Sequence, residues 1–190
     1  GEVSEIEWYR MIDNLKGRGI NVNFSKQGSL MAGYTTPAKG ERKLTYDYGK
    51  YRYKMQLINE IVVNQNFSET EQFATLIHEV AHIYCGHTGD YKNHVNTGRK
   101  PPWEDRTSLP INEREFEAES VCWLVTQRRG IDNPSYKYLA GYLNKESDSI
   151  PDKISIETIL VVAGKIEQEL ERRLKPLEAL VVSKEKLKQD

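Results

Sequence analysis

The stretch NFSETEQFATLIHEVAHIYCG, Asn66 to Gly86, decides how the rest of the chain is read. Ser68 and Glu71 have the S-x-x-E spacing of a capping box, in which each side chain satisfies an otherwise unpaired backbone N–H at a helix start. Phe73, Leu76, Ile77, Val80, Ala81 and Ile83 then recur at helical spacing, and Gly86 supplies the stop. In the middle of this helix His78 and His82 stand four residues apart, with Glu79 directly after the first. A helix advances about 100° per residue, so positions i and i+4 lie one above the other and both imidazoles can face one ion. Glu79 is offset by one position. It does not ligate, but it can reach a water bound to that ion and accept its proton. The bland alternative is a polar stripe on an ordinary helix without metal. An apolar strand just before the helix and carboxylates downstream both favour the metal site.

Two neutral imidazoles leave a tetrahedral site one protein ligand short of the usual catalytic three. In the metzincin pattern HExxH-xx-G-xx-H, Cys85 and Thr88 would occupy the Gly and second His positions, and that register fails. The other solution is a carboxylate from a second helix. NEREFEAES, Asn112 to Ser120, offers Glu115 and Glu119 one turn apart on one face. One can ligate while the other hydrogen-bonds a ligand histidine from behind. Glu113 and Glu117 are expected to project elsewhere. Asn112-x-x-Glu115 could instead be a capping box that occupies Glu115, which would make Glu119 the third ligand.

Upstream of the central helix, residues 3–16 suit an amphipathic helix ended by Gly17-Arg18-Gly19. INVNF, GSLMAGYTT, RKLTYDYG and MQLINEIVVN then read as strands of one small sheet of three to four strands, which makes the fold class α+β. Downstream, residues 88–110 carry two glycines and three prolines with no periodicity, and so read as a functional loop. Further helices are expected over about 111–129, over Ser135–Asn144, and from about Ser155 to Leu174. The expected organisation is a single domain, 1–178, followed by a polar, frayed tail, 179–190.

With 38% apolar and 29% charged residues over 190 positions, the chain has the composition of a soluble globular domain. A net charge of −1 gives no global pull toward nucleic acid or anionic membrane, and no apolar run reaches bilayer-spanning length. The acidic start, GEVSEIEWYR, is wrong for a secretory signal, and two cysteines, Cys85 and Cys122, suit reduced thiols in a cytoplasmic protein. Gly1 in place of Met suits a piece excised from a longer chain. The tyrosine-rich LTYDYGKYRYK alternates as a two-faced strand pair does, so nucleic acid is not an expected partner of this domain. Candidates for binding substrate or the oxyanion of peptide hydrolysis are His87, His94, Tyr84, Tyr91 and Tyr136, with both histidines expected in solvent.

With those residues in place, the chain resembles the ImmA/IrrE-type metallopeptidases, and in finer pattern the zincin domain of ArdC-type antirestriction proteins. The resemblance covers roughly residues 10–145 and rests on NEIVVN, SETEQFATLIHEVAH, REFEAESVCWLV and SYKYLAGYL, in that order. It implies a gluzincin-like fold with Zn2+ on His78, His82 and Glu115, Glu79 as the base, and Glu119 behind a ligand. It also implies cleavage of a protein partner, often a transcriptional regulator. A His2Glu set accepts Mn2+, Co2+ or Ni2+ as well. Two other readings remain: a metal-loaded binding module that sequesters a partner without cutting it, and a structural ion closed by His87 or His94. For a peptidase, INEIVVN would border the cleft and take up an extended substrate, with 88–110 as a lid or specificity element.

Overall fold

The computed structural model describes residues 1–133, 141, 143 and 149–188. The helix expected at 135–144 lies largely outside them, as does Tyr136. Helix α1 spans Glu5–Lys16, with Ser4 accepting at its N-cap and Gly17 at its end. Six strands follow from the alternating segments: β1 Ile20–Ser25, β2 Gly33–Pro37, β3 Lys43–Tyr48, β4 Tyr51–Gln56, β5 Asn59–Asn64 and, near the C-terminus, β6 Val181–Lys186. Helix α2 is Glu69–Tyr84, α3 is Ile111–Arg128 and α4 is Ile156–Glu171.

The α+β class holds, but the one expected sheet is two. Strand β5 is the centre of the first, parallel to β1 and antiparallel to β2. The second is antiparallel, in the order β3-β4-β6. The run MQLINEIVVN is two strands because its main chain changes partners midway. Leu57 N–H donates to the Arg42 carbonyl, and Ile58 N–H donates to that of Gly19. The tail expected to fray supplies β6, with Leu180 buried at its root. Every residue of β6 after Val181 is exposed, and only pairing with β4 distinguishes it from a solvated tail.

The main core lies between the first sheet and the helices. Ile61 and Val63 of β5 pack with Phe73, Leu76, Ile77, Val80 and Ile83 of α2, and Val121 and Val125 of α3 and Val162 and Ile166 of α4 complete it. Each such side chain contributes about 1.5–3 kcal/mol on burial. A smaller cluster of Tyr46, Met55, Ile58, Tyr91 and Leu180 fills the second sheet's inner face. Asn14, fully buried on α1, joins the parts. Its amide donates to the carbonyls of Glu169 and Arg172, and its oxygen accepts from Tyr46 Oη and the Leu174 N–H.

Candidate metal centre

The capping box forms as its spacing predicts: Ser68 Oγ accepts from the Glu71 N–H at 3.3 Å, and Glu71 Oε2 accepts from the Ser68 N–H at 2.9 Å. It fixes where α2 starts, and therefore which residues of HEVAH face α3. Helix α3 starts at Pro110, with no side-chain cap. Glu115 is thus not held as a capping residue, and the capping alternative for it falls away. Glu115 and Glu119 face α2.

His78 Nε2 and His82 Nε2 lie 3.0 Å apart. Glu115 Oε2 is 3.3 Å from the first, and its Oε1 is 3.4 Å from the second. Behind this trio, Glu119 Oε1 lies 3.0 Å from His78 Nδ1. Three ligands bound tetrahedrally at 2.0–2.1 Å stand about 3.3–3.4 Å from each other, so the donor set fits a zinc-sized ion. Two ring nitrogens and a carboxylate turned toward one point favour a positive charge there. The electrostatics agree. Burial alone would depress the His78 imidazole, yet Glu115 and Glu119 override it and lift its pKa to about 10. Glu115, though burial opposes it, is held well below the usual carboxylate range by the two histidines. No ion accompanies the protein chain here; His78, His82 and Glu115 are the residues that would hold one.

Glu79 is buried beside them, and its carboxyl is pushed up by that burial while His78 and His82 pull it back. The main chain of Thr35 in β2 hydrogen-bonds it. The open side is a cleft of about 430 Å³ lined by Ala32, Gly33, Phe67, Thr75, Asn133 and the four acidic or imidazole groups of the site. The expectation that INEIVVN borders this cleft needs correcting. Strand β5 has neighbours on both sides, and the strand that reaches the cleft is β2, the edge of its sheet. Gly33 lets it approach: a Cβ there would sit 2.6 Å from Thr75 Cγ2.

None of the four described candidates for oxyanion or substrate contact lines the cleft. His87 is buried rather than solvated, with Nδ1 3.0 Å from His82 Nδ1 and Nε2 2.8 Å from Glu117 Oε2. Tyr84 is buried at the end of α2 and donates to Glu169. Tyr91 donates to Asn59 and Thr88, and the His94 ring packs on Tyr91 with centroids 6.1 Å apart. Helical geometry and burial have already committed these side chains elsewhere.

Glu117 and Arg106 are the residues that sequence reasoning missed. Glu117 is completely buried and takes a bidentate pair from Arg106 at 2.8 and 2.5 Å. It stands four before Val121 and eight before Val125, on the core face of α3. A charge in that register was the available signal. Residues 88–110, expected as a lid, are fastened to the end of α2 instead: Arg106 N–H donates to the Gly86 carbonyl, and Arg106 Nη1 donates to that of Cys85. Gly86 is required there. Its φ is 76°, and a Cβ would meet the Glu104 carbonyl oxygen at 1.9 Å.

An HExxH helix with a carboxylate from the next helix, packed on a small mixed sheet, is the architecture of a metal-dependent peptidase. The family profile of the M78 peptidases, described as the IrrE N-terminal-like domain, matches residues 17–119, and the chain belongs to that family. No curated protein and no solved structure matches it, and the narrower likeness to ArdC-type domains gains no support. Among the described residues, no helix is long and apolar enough to cross a membrane.

Proposed function

We propose that this domain is a zinc-dependent endopeptidase of the cytoplasm that cleaves a specific protein partner, a transcriptional regulator being the kind of partner its family resemblance implies. The observation that carries the reading is the convergence of His78, His82 and Glu115 within ligand distance of one another, at the edge of an open cleft that also holds Glu79. A divalent ion on those ligands would polarise a peptide carbonyl and lower the pKa of water toward neutrality. Glu79 takes the proton of the attacking water and delivers it to the departing amine, a task suited to a carboxyl whose burial raises its proton affinity. The outer edge of β2, which pairs with no other strand among the described residues, aligns an extended substrate antiparallel to itself past Glu79, through main-chain hydrogen bonds. Both ring nitrogens of His87 already have partners, which argues against a structural ion closed by that histidine.

The test measures metal content and cleavage of a quenched-fluorescent peptide library by the wild type and by Glu79→Gln. One bound ion in both proteins is expected, with cleavage about 10²–10⁴-fold slower in the variant. Undiminished cleavage by Glu79→Gln removes Glu79 as the base, and a wild type that binds no ion removes the whole reading.

A further inference from the structure

His82 turns Nε2 toward His78 and Glu115, while its other ring nitrogen, Nδ1, lies 3.0 Å from Nδ1 of His87. Two ring nitrogens at that distance share a single proton, so one donates and the other accepts. The far side of His87 decides which. Its Nε2 is 2.8 Å from Glu117 Oε2. The same carboxylate receives both terminal guanidinium nitrogens of Arg106, and the main-chain N–H of Ser155 at 2.8 Å. A carboxylate gripped by that many donors has only acceptor capacity to offer. The proton of His87 therefore sits on Nε2, and its Nδ1 is left with a lone pair. His82 must then carry its own proton on Nδ1, and its Nε2 is bare. The opposite arrangement would press a lone pair of His87 against the carboxylate at 2.8 Å, with both side chains shut away from solvent.

Cys85, His87 and Glu117 also lie close enough together to resemble a second metal site. Their donor atoms are already committed: both nitrogens of His87 and both oxygens of Glu117 have partners, and burial pushes the Cys85 thiol up. The cluster is a proton-ordering relay, and its outer end, Arg106, comes from the loop seated on Gly86.

We propose that His87 is a positioning residue for the metal site, locked by Glu117 and Arg106 as the Nε2–H tautomer so that His82 keeps its Nε2 lone pair aimed at the ion. This rests on reading His78, His82 and Glu115 as the ligand set. Partners of this kind change metal affinity by about 10–100-fold in other sites.

The experiment titrates the metal-free protein with Zn2+ against a chromophoric chelator, following the fold by circular dichroism. Wild type should bind one ion, and His82→Ala should lose it. His87→Phe fills the space but accepts nothing, and should bind about 10–100-fold more weakly. His87→Asn, whose Oδ1 stands near the position of Nδ1, should recover most of that loss. Equal affinity in His87→Phe and wild type overturns the relay, whereas a wild type without an ion overturns the ligand set instead. Should the replacements not fold, long-range 1H–15N spectra of the zinc-loaded wild type decide. They should show the His87 proton on Nε2 and zinc on Nε2 of His82; a His87 proton on Nδ1 overturns the proposal.

Discussion

Glu117 and Glu169 begin from the same position and end in opposite states. Each lies on the core face of a helix, each is shut away from solvent, and each faces an arginine. Both oxygens of Glu117 are occupied, by His87, Arg106 and the Ser155 N–H, and these donors override burial and hold its carboxyl below the usual range. Glu169 receives Arg18 Nε at 2.9 Å and the Tyr84 hydroxyl on the same oxygen, and its Oε2 has no hydrogen-bond partner among the described residues. Burial then prevails over Arg18, and its pKa is pushed up to about 7. Burial penalises the charge on both, more so on the deeper Glu169, and only on Glu117 do donors meet both oxygens of the ionised form.

The largest test of that contrast removes the satisfied carboxylate. In metal-free protein, Glu117→Ala strips the Arg106 guanidinium of its paired carboxylate, leaving only the weaker pull of Glu104, and should cost about 3–5 kcal/mol in urea unfolding. A loss under about 1 kcal/mol would show that the relay contributes nothing to the fold. The next uses the sign of the Glu169 shift. A carboxyl with a raised pKa holds its proton more tightly when folded, so its contribution is complete below the ordinary value of 4.5 and is lost as pH rises through about 7. The stability difference between wild type and Glu169→Gln should therefore move against the wild type across that window, by at most about 3 kcal/mol, and level off above it. A flat difference would mean that Glu169 is ionised throughout. The smallest effect is expected from Tyr84→Phe, about 1 kcal/mol near pH 5. Losing that donor should also move the Glu169 midpoint upward; a downward move would contradict the account of Glu169.

Local periodicity made the site legible. The capping box, the pair of histidines and the Glu115/Glu119 pair all depend on spacing within one helix, and 3.6-residue geometry fixes which of them share a face. The alternative cap at Asn112 does not form because the N-cap of α3 is Pro110, two residues earlier. Pairing between distant segments was not legible. Nothing in VVSKEK tells a solvated tail from an edge strand, and nothing in MQLINEIVVN marks the switch of partners at Leu57 and Ile58. His87 followed a helix-ending glycine and so looked exposed. It is held between His82 and the core-facing Glu117, while the chain returns at Arg106, far along the loop, to bond Cys85 and Gly86 beside it.

Strand β6 pairs with β4, α4 packs on α2 and α3, and α1 packs on α4 and β1, yet all three lie outside residues 17–119. The segment that matches the family profile consequently lacks elements that pack on its own core. A fragment trimmed to residues 17–119 should expose the core side chains that α4 covers and the outer edge of β4, and is expected in the aggregate rather than the soluble fraction of a lysate.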